Sequence, residues 1–258
     1  VGRRSQLSGI GAAGPVDVPA GVIAPLNLTA WRDGFAIVAA VRELFPGAEV
    51  ACAIDGACLA LAEYRLGGLK GTDNGLAMTV STGIGGGLVL DGRVVMGRTG
   101  NAGHVGHIVV AGDETPCACG GFGCVEAIAS GPAAVRWARE RGWSGADGVE
   151  LARSADPIAV KALNRAGSAL GQSISSAVAL LDVDRVVISG GFAHSGPALW
   201  EPLREAVRRH ARLSFIQDTR VQLSTLSDGA TLVGAGVLAM NATDSNFKPL
   251  TCEVGEED

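Results

Sequence analysis

The run Cys-Ala-Cys-Gly-Gly-Phe-Gly-Cys at residues 117–124 constrains this chain more than any other stretch. It sets three thiols, Cys117, Cys119 and Cys124, within eight positions. Thiolates that close share one ion only if the backbone folds sharply, and Gly120, Gly121 and Gly123 permit it. A tetrahedral zinc site needs a fourth ligand, which either His104 or His107 of the upstream "GHVGH" could supply. Such a Cys₃His site has no open position, so its role is structural. Bound zinc can contribute about 10 kcal/mol of folding free energy, enough to order a glycine-rich segment. The competing reading is three buried or redox thiols, but a tight cluster in a reducing compartment points to a metal first. Cys52 and Cys58, in apolar surroundings, read as small core residues, and Cys252 stands alone.

The remaining composition narrows the function classes. With 47% hydrophobic and 18% charged residues, the 258-residue chain can bury a sizeable core. A net charge of −5 argues against nucleic-acid binding, and the basic cluster Arg204 to Arg212 has the spacing of a solvated helix face. No apolar run reaches the roughly 18 residues that span a bilayer, and "VGRRSQLSGIG" has neither h-region nor cleavage site. No membrane contact and a cytoplasmic location are therefore expected.

Along the chain, "LSGIGAAG" reads as a strand entering a glycine-rich turn. Residues 34–45 carry helical spacing, stopped by Pro46-Gly47, and "AEVACAI" is a strand leading at Asp55 into a helix through Arg65. This alternation predicts an α/β unit whose ligand edge lies at the strand carboxyl ends. "LAMTVS" and "LVLDGRVV" read as strands, the latter a hairpin turning at Asp91-Gly92, and residues 97–124 show little regular structure. Asp156-Pro157 starts a long helix to Leu181; "RVVIS" is a strand, "GPALWEPLREAVRRHA" a helix, and "DGATLVGAGVLAM" a small-residue helix suited to close packing. The polar tail from Asn241 is expected to fray.

Three further features carry chemistry. Asp55, where a strand gives way to a helix, is either a plain helix-start aspartate or a base kept ionised by the helix N-terminus. "STGIGGG" offers the Thr82 hydroxyl and successive backbone N–H groups to phosphates, though a glycine-rich hairpin entry looks the same. His104 is a ligand or a satisfied structural histidine, and Asn27 a ligand or a turn residue.

The stretch "GHVGHIVVAGDETPCACGGFGCVEAIASG" resembles the signature of the ROK family of sugar kinases and sugar-responsive repressors. The likeness extends to "GIGAAGPVD", "IDGACLALAEY", "VSTGIGGGLV", "VVISGG" and the final "LVGAG". It implies an α/β, actin-like, hexokinase-like ATPase fold of two RNase H-like lobes. The first lobe would comprise residues 1–75 and 229–245, and the second residues 76–228, with the zinc motif and nucleotide contacts. It implies His107, Cys117, Cys119 and Cys124 as zinc ligands, and Asp55 as the base that takes the proton of a sugar 6-hydroxyl. Gly14, Asn27, Asp55, His104, His107 and Glu126 would hold the sugar. Ser81, Thr82, Gly83, Gly85, Gly190 and Gly191 would contact ATP, used with Mg²⁺. The Gly-His-x-Gly-His run and "CVEAIASG" resemble bacterial N-acetylmannosamine kinases, implying that sugar as acceptor, and the wider family resemblance implies a homodimer formed through the second lobe. The opposing reading is a sugar-binding relative without kinase activity, either a repressor's effector domain or a truncated pseudokinase.

Two departures from the family pattern stand out. No counterpart of the family's Asp-x-Gly-Gly-Thr phosphate loop occurs, so the first lobe is expected to be incomplete and to lack its front end. Ile54 occupies the place of a usual Asn, and Ala57 that of a common polar residue, which removes sugar-binding hydrogen-bond partners.

Overall fold

The computed structural model describes residues 7–226 and 229–241. The ends of the expected first lobe, the polar tail beyond Asn241 and Cys252 lie outside the described residues. Strand β1 (Leu7–Ala12) enters the expected glycine-rich turn, and β2 (Val16–Asp17) and β3 (Val22–Ile23) form a short antiparallel pair. Helix α1 (Ile37–Leu44) stops before Pro46-Gly47, where Gly47 takes φ +84. Strand β4 (Glu49–Ile54) pairs in parallel with β1 and passes without a loop into α2 (Asp55–Leu66). That uninterrupted junction puts Asp55 at the carboxyl end of a strand and in the first turn of a helix.

Strands β5 (Gly75–Val80), β6 (Ile84–Leu90) and β7 (Arg93–Val95) follow as an antiparallel meander. The β6–β7 turn has Asp91 at φ +50 and Gly92 at φ +70, the two left-handed positions of a tight hairpin. A loop containing one 3-10 turn (Val105–His107) leads to α3 (Val125–Ala129), α4 (Gly131–Arg139) and α5 (Gly148–Arg153). The long α6 (Pro157–Leu181) starts as expected: Asp156 accepts from the Ile158 N–H at 2.6 Å, and Pro157 fills the first helical position. Then come β8 (Arg185–Ser189), α7 (Pro197–His210), β9 (Arg220–Leu223) and α8 (Ala230–Asn241). The five-stranded sheet has the order β7-β6-β5-β8-β9, with β5, β8 and β9 parallel.

Strand periodicity divides the core between the two faces of this sheet. Leu76, Met78 and Val80 of β5 point to one side, where Leu170, Ile174 and Leu203 of α6 and α7 cover them. Ala77 points to the other, where α2 lies between the sheet and the β1–β4 pair. Helix α8 packs back on this second core so closely that a Cβ at Gly234 would meet the Cys58 carbonyl oxygen at 1.7 Å. The same closeness fixes α2 against β6, where a Cβ at Gly56 would stand 1.9 Å from the Gly86 oxygen. The helix start bearing Asp55 is thereby held directly on the sheet. Cys52 and Cys58 are buried in this core as expected, and Ile54 and Ala57 are buried there too, at 2% and 1% exposure.

Candidate active site and metal centre

A cleft of about 1000 Å³ opens along the carboxyl end of β4 and the amino end of β6. Its wall brings together Gly14, Asn27, Asp55, Thr82, Gly83, Gly85, His104, His107, Cys117, Cys119 and Glu126, separated by up to 112 positions in sequence. Ser81, Gly190 and Gly191 adjoin one another just outside that wall: a Cβ at Gly191 would lie 3.9 Å from Ser81 Oγ. Gly190 has φ +100, and a Cβ there would stand 2.6 Å from the Val80 oxygen, so strand packing accounts for that glycine without a ligand. Ile54 and Ala57 are buried and absent from the cleft wall, so neither offers a polar group to it.

Asp55 stands in the cleft, open to water, with Oδ1 accepting the Gly56 N–H at 2.7 Å. The surrounding protein still desolvates the carboxylate enough to raise its pKa above the ordinary 3.8. The Gly56 N–H and nearby His104 pull the other way and lose. The expectation that the helix N-terminus keeps Asp55 ionised thus identifies a real contribution but not the dominant one. A carboxylate displaced upward is a stronger base than an ordinary one.

His104 is placed by a loop contact, its Nδ1 lying 2.8 Å from the Asn101 carbonyl oxygen. A carbonyl can only accept, so Nδ1 carries the proton and, in the neutral ring, Nε2 is an acceptor. Nε2 lies directly against Gly14 on the cleft wall. Asn101 is itself fixed, accepting from the Val16 N–H at 2.8 Å and donating to Val16 O, which joins this loop to the turn after β1.

His107, not His104, stands with the thiols. Its ring nitrogen and the sulfurs of Cys117, Cys119 and Cys124 all lie within 4.8 Å of one another. Tetrahedral coordination with sulfur about 2.3 Å from zinc places ligand atoms about 3.8 Å apart. Cys119 and Cys124 are separated by 3.8 Å, as are Cys117 Sγ and His107 Nδ1. The residues therefore fit zinc. Gly120 and Gly123 make the turn with φ +91 and +70, and a Cβ at Gly123 would strike the Asp113 oxygen at 2.4 Å. Burial pushes the Cys124 thiol up to about 12, whereas the Gly121 N–H leads the contacts that lower Cys119. Thiols this close resist ionising together, and a dication among them reverses that preference.

Glu126, in the first turn of α3, directs its carboxylate at the glycine-rich loop, where Oε2 accepts the Ile84 N–H at 2.7 Å. The loop's far side is held as well, the Gly131 N–H donating to Ser81 O at 2.9 Å. Outside the cleft's centre, Arg165 of α6 donates to Asp113 Oδ2 at 2.6 Å and to Thr115 Oγ1 at 3.2 Å, bracing the stem of the cysteine loop. Sequence reasoning missed Arg165 and the Glu126–Ile84 bond, because neither pairing leaves a spacing signature. It also missed Glu63, fully buried, which accepts from the Ser224 hydroxyl and, at 2.8 Å, from the Gly68 N–H.

Comparison with known proteins bears on this arrangement. The profile described as "ROK family" matches residues 3–242. The chain is similar to a glucokinase of Thermotoga maritima, 32% identical over 91% of this chain and 79% of the relative. It is also similar to an N-acetylmannosamine kinase of Yersinia pestis, 36% identical over 64% of this chain and 57% of the relative. Among solved structures, a ROK hexokinase from Thermus thermophilus superposes with a TM-score of 0.81 at 36% identity, covering 92% of this chain and 79% of that one. A ROK glucokinase from Streptomyces griseus, solved with glucose and AMPPNP, gives 0.78 at 30% identity, over 93% and 83%. The fold is thus the α/β, actin-like architecture of these hexokinase-like structures.

Proposed function

The chain belongs to the ROK family and is an ATP-dependent sugar kinase; we propose that its acceptor is the 6-hydroxyl of a hexose or N-acylhexosamine, with N-acetylmannosamine the first candidate. The observation that carries this reading is the shared cleft, which Asp55 lines together with a glycine-rich loop and with His104, His107 and Glu126. Kinship with N-acetylmannosamine kinases over 172 residues supports the choice of sugar.

In this reading Asp55 accepts the proton of the 6-hydroxyl as that oxygen attacks the γ-phosphorus of MgATP, and ADP leaves with the bridging oxygen. The Gly56 N–H orients the carboxylate for the transfer. His104 Nε2 accepts from a sugar hydroxyl, and Gly14 leaves the room for it. Asn27 and Glu126 offer polar groups from opposite walls, and the Thr82 hydroxyl with the backbone N–H groups of Gly83 and Gly85 meets the phosphates. His107, Cys117, Cys119 and Cys124 would hold zinc, which would supply structure to the loop from which His104 and His107 reach the cleft. The two apolar clusters on opposite sides of the five-stranded sheet support residues 1–75 with 229–245 as one lobe and 76–228 as the other.

Phosphorus NMR of the product tests the assignment. Coupling of the new phosphate to the two hydrogens on carbon 6 is the expected result; a phosphate at carbon 1, or no transfer to any hexose, overturns it.

A further inference from the structure

A carboxylate assigned to the sugar has its strongest contact on the other substrate's side. Glu126 Oε2 lies 2.7 Å from the Ile84 nitrogen, the first residue of β6 and the exit from the Thr82–Gly83 loop. Within that loop the Ser81 N–H donates to Gly83 O at 2.9 Å, closing its turn. Gly83 is shaped to this contact: a Cβ there would stand 2.8 Å from Glu126 Oε2. The segment from α3 to α4 therefore grips the loop at both ends, by Glu126 on Ile84 and by the Gly131 N–H on Ser81 O. The Glu126 side chain also lines the cleft, and a carboxylate has acceptor sites to spare after one hydrogen bond.

We propose that Glu126 is a positioning residue for the nucleotide's phosphates, holding the Ser81–Ile84 loop in its binding shape through the Ile84 N–H while serving the acceptor sugar from the same side chain. The inference rests on the reading of that loop as the phosphate contact. It makes acceptor and donor binding linked: a sugar that orders Glu126 orders the loop, and the effect is reciprocal. A residue that only touched sugar would leave nucleotide affinity alone when no sugar is present.

The test measures ADP binding by calorimetry, without sugar, in the wild type, Glu126→Ala and Glu126→Gln, together with hydrogen exchange of the Ile84 amide. The alanine variant is expected to weaken ADP binding about tenfold, the scale of one charge-assisted hydrogen bond, and to expose the Ile84 amide to exchange. Glutamine keeps an acceptor oxygen for Ile84 and should restore both readings, whatever it does to sugar affinity. Wild-type ADP affinity and Ile84 protection in the alanine variant, with only sugar binding lost, would overturn the inference. Failure of the wild type to bind ADP would instead overturn the kinase reading, and the Ile84 exchange rates alone would then decide the positioning role.

Discussion

Gly14 and His104 share a space with no room for a methyl group: a Cβ on Gly14 would stand 2.6 Å from the imidazole Nε2 and 2.8 Å from its Cε1. Since Nδ1 is committed to the Asn101 oxygen, Nε2 is the ring's working atom, and the bare backbone at Gly14 keeps it reachable. Gly14→Ala is expected to raise the sugar KM roughly tenfold or more, the range for one misplaced methyl in a fitted pocket, with ADP affinity unchanged. Steady-state kinetics with calorimetry separates the two. An unchanged sugar KM would remove His104 from the sugar site.

Asp55 carries opposing consequences for activity and stability. Asp55→Asn should lower kcat about 10²- to 10⁴-fold by removing the base. Asparagine still accepts from the Gly56 N–H but carries no charge to desolvate. Because folding raises the Asp55 pKa, the ionised carboxylate opposes folding above that raised value, and the penalty vanishes below the unfolded value of 3.8. The Asn variant should therefore melt higher than wild type at pH 7 and alike near pH 3, as thermal unfolding at the two pH values would show. Wild-type activity should fall on acidification at a pH above the ordinary carboxylate range.

The four-ligand cluster makes a stoichiometric expectation. Elemental analysis should find one zinc per chain, and Cys119→Ser or His107→Ala should lose most of it and melt several degrees lower. Cys52→Ala is the control. Burial pushes the Cys52 thiol up to about 11, so it remains protonated and its replacement should leave the metal content at one. Metal-free wild type of unchanged stability would refute the structural zinc.

Gly56→Ala sets two magnitudes against each other. In a helix interior alanine is favoured by about 0.8–1.0 kcal/mol, yet here its Cβ would meet the Gly86 carbonyl oxygen at 1.9 Å. Backbone cannot step aside as a flexible side chain can, and overpacking of this kind costs about 1–3 kcal/mol. Net destabilisation is expected by denaturant unfolding, with a fall in kcat because Asp55 moves with the helix. Ser224→Ala should cost a similar 1–3 kcal/mol by stripping a donor from fully buried Glu63.

What the chain discloses in advance follows from which interactions are local. Asp156-Pro157, Asp91-Gly92 and Pro46-Gly47 act within a few residues, and each element boundary they imply is observed. The cysteine loop was legible for the same reason, since its ligands lie within 18 positions. The cleft residues were named through likeness to the ROK signature, and the fold assembles most of them because β1 and β4 end, and β6 begins, at one edge. Helices α4 and α5 and strand β9 were not read: "AAVRWAR" mixes small apolar residues with arginines, and "RVQL" is four residues with polar ends. Contacts such as Glu126 with Ile84, 42 positions apart, or Glu63 with Ser224, 161 apart, obey no spacing rule and required the structure. Ile54, read from sequence as the loss of a sugar-binding amide, is a core residue at 2% exposure, which agrees with that loss.

The most direct measurement is ATP-dependent phosphorylation by this chain across N-acetylmannosamine, glucose, mannose and N-acetylglucosamine, with Asp55→Asn beside it. Turnover on at least one sugar, highest with N-acetylmannosamine and reduced at least a hundredfold in the variant, is the expected result. Silence on all four sugars from folded, zinc-containing protein, or equal turnover in the Asp55→Asn variant, would contradict the account.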